Sequence, residues 1–196
     1  MLGAPLAITA HPRYNASMIV TNRAKLGLGG LLIIAAGVTS SFLLRRGAPA
    51  PLELGDKALD FTVPRLDGGE VALRNYRGHV VLVNFWATWC PPCIEETPSL
   101  EKFAEQVKPY GIEVIGVSVD QDPAMLEKFI RDYHLTFPIG RDPKQTLSWR
   151  YGTRLFPETY IIGRDGRVAS KIISNIDWED PRIISFVRDL AESRRQ

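Results

Sequence analysis

Two cysteines occur in the 196 residues, Cys90 and Cys93, both in the stretch Trp89-Cys90-Pro91-Pro92-Cys93. A pair at this spacing has three chemistries open to it: a structural disulfide, part of a metal centre, or a reversible dithiol. A tetrahedral zinc site takes four ligands, usually two such pairs or one pair with two histidines. The histidines are His11, His79 and His134, and His11 lies before a long apolar segment, so no metal site is expected. A disulfide across two residues closes a tiny loop and restricts the unfolded chain little, which makes it a poor staple. A reactive pair fits better, because Cys90 falls between a strand signal and a helix signal. Its sulfur is then expected beside the free N–H groups at the positive end of a helix, where thiolate is favoured over thiol. Pro91 and Pro92 donate no N–H and fix the backbone there. Cys93, one turn on, is expected to be more buried and a poorer nucleophile until a base removes its proton. Glu96, three residues after Cys93, shares its helix face and is the candidate base if buried. Glu95 reads as a solvated surface charge.

The elements that must hold this pair alternate between strand and helix. Val80–Trp86, VVLVNFW, is an apolar β-branched run suited to a central strand covered on both faces, and EVIGVSV at 113–119 is a second. Between them, the segment from Pro91 to Gly111 starts with prolines where a helix accepts them and ends on glycine, with a kink expected at Pro98. Asp67-Gly68-Gly69 and Asp165-Gly166 mark two hairpin turns. Asp122 to His134 reads as an amphipathic helix turning Met125, Leu126 and Phe129 inward. A last helix from Asp180 to Arg195 carries Ile183, Ile184, Val187 and Leu190 on one face. This order predicts an α/β fold with helices on both faces of a central sheet. Trp86 is expected to pack below the first helix, Trp89 to meet an incoming peptide, and Trp149 and Trp178 to serve packing.

The first fifty residues contain five basic side chains and no acid, leaving 19 basic against 22 acidic residues in the remainder, a net of −3. Nucleic acid is therefore not an expected partner, since binders of it present a basic face. Leu26–Leu44 is uncharged and nearly all apolar. As a helix rising ~1.5 Å per residue it is long enough to cross a hydrocarbon core of roughly 30 Å. Arg23 and Lys25 favour a cytoplasmic N-terminus. The expected organisation is a cytoplasmic segment over residues 1–25, a transmembrane signal-anchor over 26–44, a Pro/Gly linker over 45–55 and one domain over 56–196. An uncleaved anchor is preferred to a cleaved signal, because Arg45 and Arg46 precede, and Pro51 follows, the small-residue pattern Ala48-Pro49-Ala50.

Two stretches, VVLVNFWATWCPPCIEETPSL from Val80 to Leu100 and LFPETYIIGRDGRV from Leu155 to Val168, resemble the thioredoxin superfamily, and more closely its TlpA/ResA-like branch of membrane-anchored thiol-disulfide oxidoreductases. The resemblance runs from about Leu59 to the last helix and implies a thioredoxin-like fold with a central mixed sheet. It implies that Cys90 is the nucleophile, Cys93 the resolving thiol and the two a redox-active disulfide. Glu96 falls on the carboxylate this branch keeps near the buried cysteine, and Asn84 stands where thioredoxins have a buried Asp. Pro157 is implied to be the cis-proline, and Trp89, Pro91, Pro92, Phe156 and Pro157 to meet the substrate; Arg154, Phe156 and Glu158 are expected to shape the choice of client. The implied partners are a client protein with a disulfide, such as an apocytochrome c, and a membrane thiol donor. The implied location is the bacterial inner membrane, single-pass, with the domain in the periplasm or outside. No cofactor is expected, because the sulfurs carry the electrons themselves. Two alternatives stay open: a thiol peroxidase of the peroxiredoxin kind, and a tethered module holding clients or copper, since two thiolates suit Cu(I).

Overall fold

The computed structural model describes residues 50–193. The expected cytoplasmic segment and membrane anchor lie outside these residues; among the described residues no helix is long and apolar enough to cross a membrane. The strands are β1 (Thr62–Pro64), β2 (Glu70–Ala72), β3 (Val80–Trp86), β4 (Ile112–Ser118), β5 (Ile139–Arg141), β6 (Glu158–Ile162) and β7 (Val168–Ile173). The α-helices are α1 (Pro91–Val107), α2 (Pro123–Asp132), α3 (Thr146–Tyr151) and α4 (Pro181–Glu192). β1 and β2 form the expected hairpin, and the other five strands form one sheet in the order β5-β4-β3-β6-β7. β3 is parallel to β4 and antiparallel to β6, so the sheet is mixed.

β3 is buried at every residue because both its faces are covered. Successive side chains point to opposite faces. Val80, Leu82 and Trp86 join the core under α1, α2 and α4, which contribute Leu100, Phe103, Leu126, Phe129 and Val187. Val81, Val83 and Phe85 join the opposite core, with Phe61 and Val71 from the hairpin region, Leu147 and Tyr151 from α3, and Tyr160 from β6. The parity that seats Leu82 and Trp86 under α1 also puts Asn84 there. Phe103 is fully buried on this side. Phe103→Ala is expected to cost about 3–5 kcal/mol of stability, the range for emptying a buried aromatic site; urea unfolding of the full chain checks it, and a loss near zero would mean that Phe103 is not part of the cooperative core.

Three points differ from what the sequence predicts. α3 and β5 were not anticipated; Asp142 accepts from the Thr146 and Ser148 amides and satisfies free donors at the start of α3. Met125 is 54% exposed, because the inward stripe of α2 is filled by the buried Leu126 and Phe129 with Ile130 packed beside them. As expected, α1 carries Pro98 within it; hydroxyls supply bonds around it, from Thr97 to the Cys93 carbonyl and from Ser99 to the Glu96 carbonyl. Pro51 and Leu52, expected in the linker, pack on the domain: Leu52 is buried, its amide donates to the Tyr151 carbonyl, and Pro51 lies against Gly152. Gly152 has φ +82°, so a side chain there would be strained as well as blocked by Pro51.

Candidate active site

Cys90 is the N-cap of α1, with extended backbone dihedrals, and Pro91 and Pro92 occupy the first helical positions. Proline suits these positions, because its missing N–H would have no partner within the helix. Cys90 and Cys93 are joined in a disulfide, and the Cys93 amide points at Cys90 Sγ from 3.4 Å. That amide is one of the orphan donors at the helix start, and it faces the atom on which negative charge develops when the bridge is reduced. Cys93 is 1% exposed and Cys90 4%, so the expected order holds, although Cys90 is also well covered in the disulfide form.

The segment before Cys90 is held by Asp120, which follows β4. Its carboxylate accepts from the Thr88 amide at 3.1 and 3.2 Å, from the Thr88 hydroxyl at 2.6 Å and from the Ser118 hydroxyl at 2.7 Å. This clamp was not foreseen in the sequence. The only hint is an aspartate directly after a strand that runs parallel to the one leading into Cys90.

On the other side stands the turn into β6. The Phe156-Pro157 peptide bond is cis, and the Phe156 carbonyl oxygen lies 3.5 Å from Cys90 Sγ. Trp89, 61% exposed, meets the Phe156 ring edge-on at 6.2 Å between centroids. Trp89, Cys90, Phe156 and Pro157 thus adjoin one another, with Pro91 exposed beside them and Pro92 half-buried. Arg154 is exposed, and its guanidinium stacks 3.4 Å over Trp149; that tryptophan is half in solvent, not in the core. Glu158 does not belong to this surface. Strand alternation turns it in beside Tyr160, where it is buried, paired with Lys171 at 2.7 Å and 3.3 Å from the Tyr160 hydroxyl.

Beneath the disulfide lies Glu96, 3% exposed. Asn84 donates its side-chain amide to Oε1 at 2.9 Å and to the Thr159 hydroxyl at the same distance; the two residues are cross-strand partners of β3 and β6. The Trp178 indole donates to Oε2 at 3.2 Å, and the Ile176 backbone bonds the carboxylate as well. Burial pushes the Glu96 carboxyl up to about 7, against the lowering effect of these donors. A carboxyl in that range exchanges a proton near neutral pH. Trp178 was expected to pack only; it is fully buried and it also serves as a donor. Asn84 carries the one signal that could have pointed to this cluster, being the single polar residue in VVLVNFW and so in need of a buried partner. Glu95 faces solvent and accepts from Asn175.

Known proteins share both the sequence and the architecture. The model of the AhpC/TSA family matches residues 54–171. The thiol-disulfide oxidoreductase ResA of Geobacillus thermodenitrificans (strain NG80-2) is 35% identical over 152 residues, 76% of this chain and 86% of that protein. The ResA of Bacillus thuringiensis (strain Al Hakam) is 32% identical over 146 residues, 73% of this chain and 84% of the other. Among solved structures, a thiol:disulfide interchange protein from Bacteroides sp. aligns with a TM-score of 0.62 at 28% identity, covering 74% of this chain and 96% of that one. StoA from Bacillus subtilis aligns with a TM-score of 0.57 at 25% identity, over 65% and 96% of the two chains. With the family model matching more than half of its length, and relatives above 30% identity matched over most of theirs, the chain belongs to the thioredoxin-like AhpC/TSA family, on the branch of the ResA thiol-disulfide oxidoreductases.

Proposed function

We propose that this protein reduces disulfides in client proteins outside the cytoplasm, working from the membrane face to which residues 26–44 anchor it. The observation that carries the reading is the Cys90–Cys93 pair at the start of α1 with a buried carboxyl one turn further on. In the reduced protein the Cys90 thiolate attacks a client sulfur, forming the mixed disulfide and releasing the first client thiolate. Cys93 then attacks Cys90 Sγ, its proton passing to Glu96. The Cys90–Cys93 bond forms, the bond to the client breaks, and the client leaves as a dithiol with two more electrons. Trp89 and Phe156 offer aromatic surface beside the sulfur. The backbone at Phe156-Pro157 offers an edge for an extended client segment, for which apocytochrome c with its paired cysteines is a suitable example. A membrane thiol donor returns the protein to its reduced form.

The direction of flow rests on the reduction potential, since exchange itself is reversible and about 30 mV corresponds to ~1.4 kcal/mol for a two-electron couple. Equilibration of the full chain in glutathione or dithiothreitol buffers is expected to place the pair near the thioredoxin range, about −270 mV. A value near about −120 mV would make the protein an oxidant and reverse the proposal. The same preparation is expected to consume no hydrogen peroxide and to turn over without added copper; either result reversed would favour the peroxidase or the copper-holding reading.

A further inference from the structure

We propose that Trp178 is a positioning residue for the release step: its indole N–H holds Oε2 of Glu96 and fixes the carboxylate, one helical turn past Cys93, in the orientation that receives the Cys93 proton. The inference rests on the role given to Glu96 above. It begins from the segment between β7 and α4, residues 174–178, which is fastened to the site at several points. The Ser174 amide donates to the Pro157 carbonyl at 3.0 Å, the Asn175 side chain to Glu95 at 2.9 Å, and the Trp178 amide to the Ser99 hydroxyl at 3.3 Å. Ser174 has φ 100°, a region that non-glycine residues occupy only when their surroundings hold them there. The strap thus joins the Phe156-Pro157 turn to the first half of α1.

Trp178 is the one fully buried side chain of the strap, with Ile176 half-buried against the same core. It is fully buried, its ring is 5.3 Å from that of Phe103, and its N–H is 3.2 Å from Glu96 Oε2. A packing role needs the ring but not this bond: a buried indole needs some acceptor, and here the acceptor is the carboxylate of the redox site. Asn84 holds the other oxygen, so β3 supplies a donor on one side and the strap supplies donors on the other, the Trp178 indole and the Ile176 backbone. The donors are neutral. The charged groups of the surrounding elements are engaged elsewhere: Glu95 with Asn175, Glu179 with Lys102, Asp177 with the Glu179 amide, and Glu158 of β6 with Lys171 of β7 in the opposite core. In the reduced protein Cys93 is the neighbouring thiol on α1 itself.

The probe is dithiobis-nitrobenzoate, given to the reduced full chain purified in detergent. Attack by Cys90 releases one coloured thiolate, and attack by Cys93 on the resulting mixed disulfide releases the second, so the two steps are read separately across pH. Trp178→Phe keeps an aromatic ring at the position, smaller than the indole, and removes the N–H. A donor to a carboxylate favours its charged form, so the midpoint of the second release is expected to rise by about one pH unit while the first is unchanged. In a Glu96→Gln background the same exchange is expected to move nothing. An unshifted midpoint, or an equal shift with and without Glu96, overturns the proposal. Glu96→Gln with unaltered release overturns the role of Glu96 itself, a separate failure. Should Trp178→Phe not fold, the indole N–H resonance of the parent protein decides: it is expected to titrate with Glu96 near neutral pH, and one that stays flat with pH overturns the assignment.

Discussion

Exchanging Cys93 for serine is expected to leave a protein that attacks its client and then stays attached to it. The serine hydroxyl keeps the shape of the side chain but remains protonated at neutral pH, so it cannot displace the client thiolate from Cys90. The first step survives, because the Cys93 backbone amide, 3.4 Å from Cys90 Sγ, is untouched by the exchange. Cys90→Ser removes the attacking atom, so both the adduct and turnover disappear. The pair of variants therefore gives two different losses. Intact mass under non-reducing conditions checks them: one equivalent of client is retained by Cys93→Ser and none by Cys90→Ser, with steady-state reduction of a disulfide substrate at background in both. If Cys93→Ser turns over, or if the adduct forms on Cys93 in the absence of Cys90, the division of labour between the two sulfurs is wrong. The covering of Cys90 in the disulfide form makes the second outcome harder still, since Cys93 lies deeper.

The placement of the two sulfurs and the carboxylate was legible in the sequence because it depends on short spacings. Two sulfurs and a carboxylate at positions 90, 93 and 96 fall on successive turns of any helix that starts at Pro91. The central strands were legible for the same reason, as nearly unbroken apolar runs rich in β-branched residues. What stayed hidden depends on partners far apart in the chain or on alternation within a strand. Trp178 and Glu96 are 82 residues apart, and nothing in the sequence around Asp177-Trp178 distinguishes a donor from a packing ring. Glu158 sits in a stretch whose resemblance suggested a client-facing surface, yet the single step from Pro157 into β6 turns its side chain to the core of Tyr151 and Tyr160. α3 is six residues long, too short for a helical period to stand out, and β5 is three. Met125 was misplaced because the inward stripe of this ten-residue helix is filled by Leu126 and Phe129, with Ile130 packed beside them.

Glu96→Gln is expected to separate the same two steps less completely: attack by Cys90 near the parent rate, and release slowed by about a hundredfold at neutral pH, the lower range for loss of a positioned proton acceptor. The rise of release rate through about pH 7 is expected to vanish with it, because the group that titrates there is gone. Stability gives an independent reading, and its sign follows from proton counting. The Glu96 carboxyl lies at about 7 in the folded chain, against an ordinary value of 4.5. Between these values the unfolded chain has lost the proton and the folded one retains it, so stability falls as pH rises across the window, by about 3 kcal/mol in all. Below the window both states hold the proton, and above it neither does. Gln cannot ionise, and that slope is expected to flatten in the variant. Gln also replaces one acceptor with a donor, so either Asn84 or Trp178 loses its partner at a cost of about 1–3 kcal/mol, a constant penalty that lowers the whole curve without tilting it. Urea unfolding of the oxidised parent and variant from pH 4.5 to 7 checks both effects. Two parallel curves would mean that the carboxylate is already ionised in the folded protein, and a release rate insensitive to the exchange would take Glu96 out of the proton path altogether.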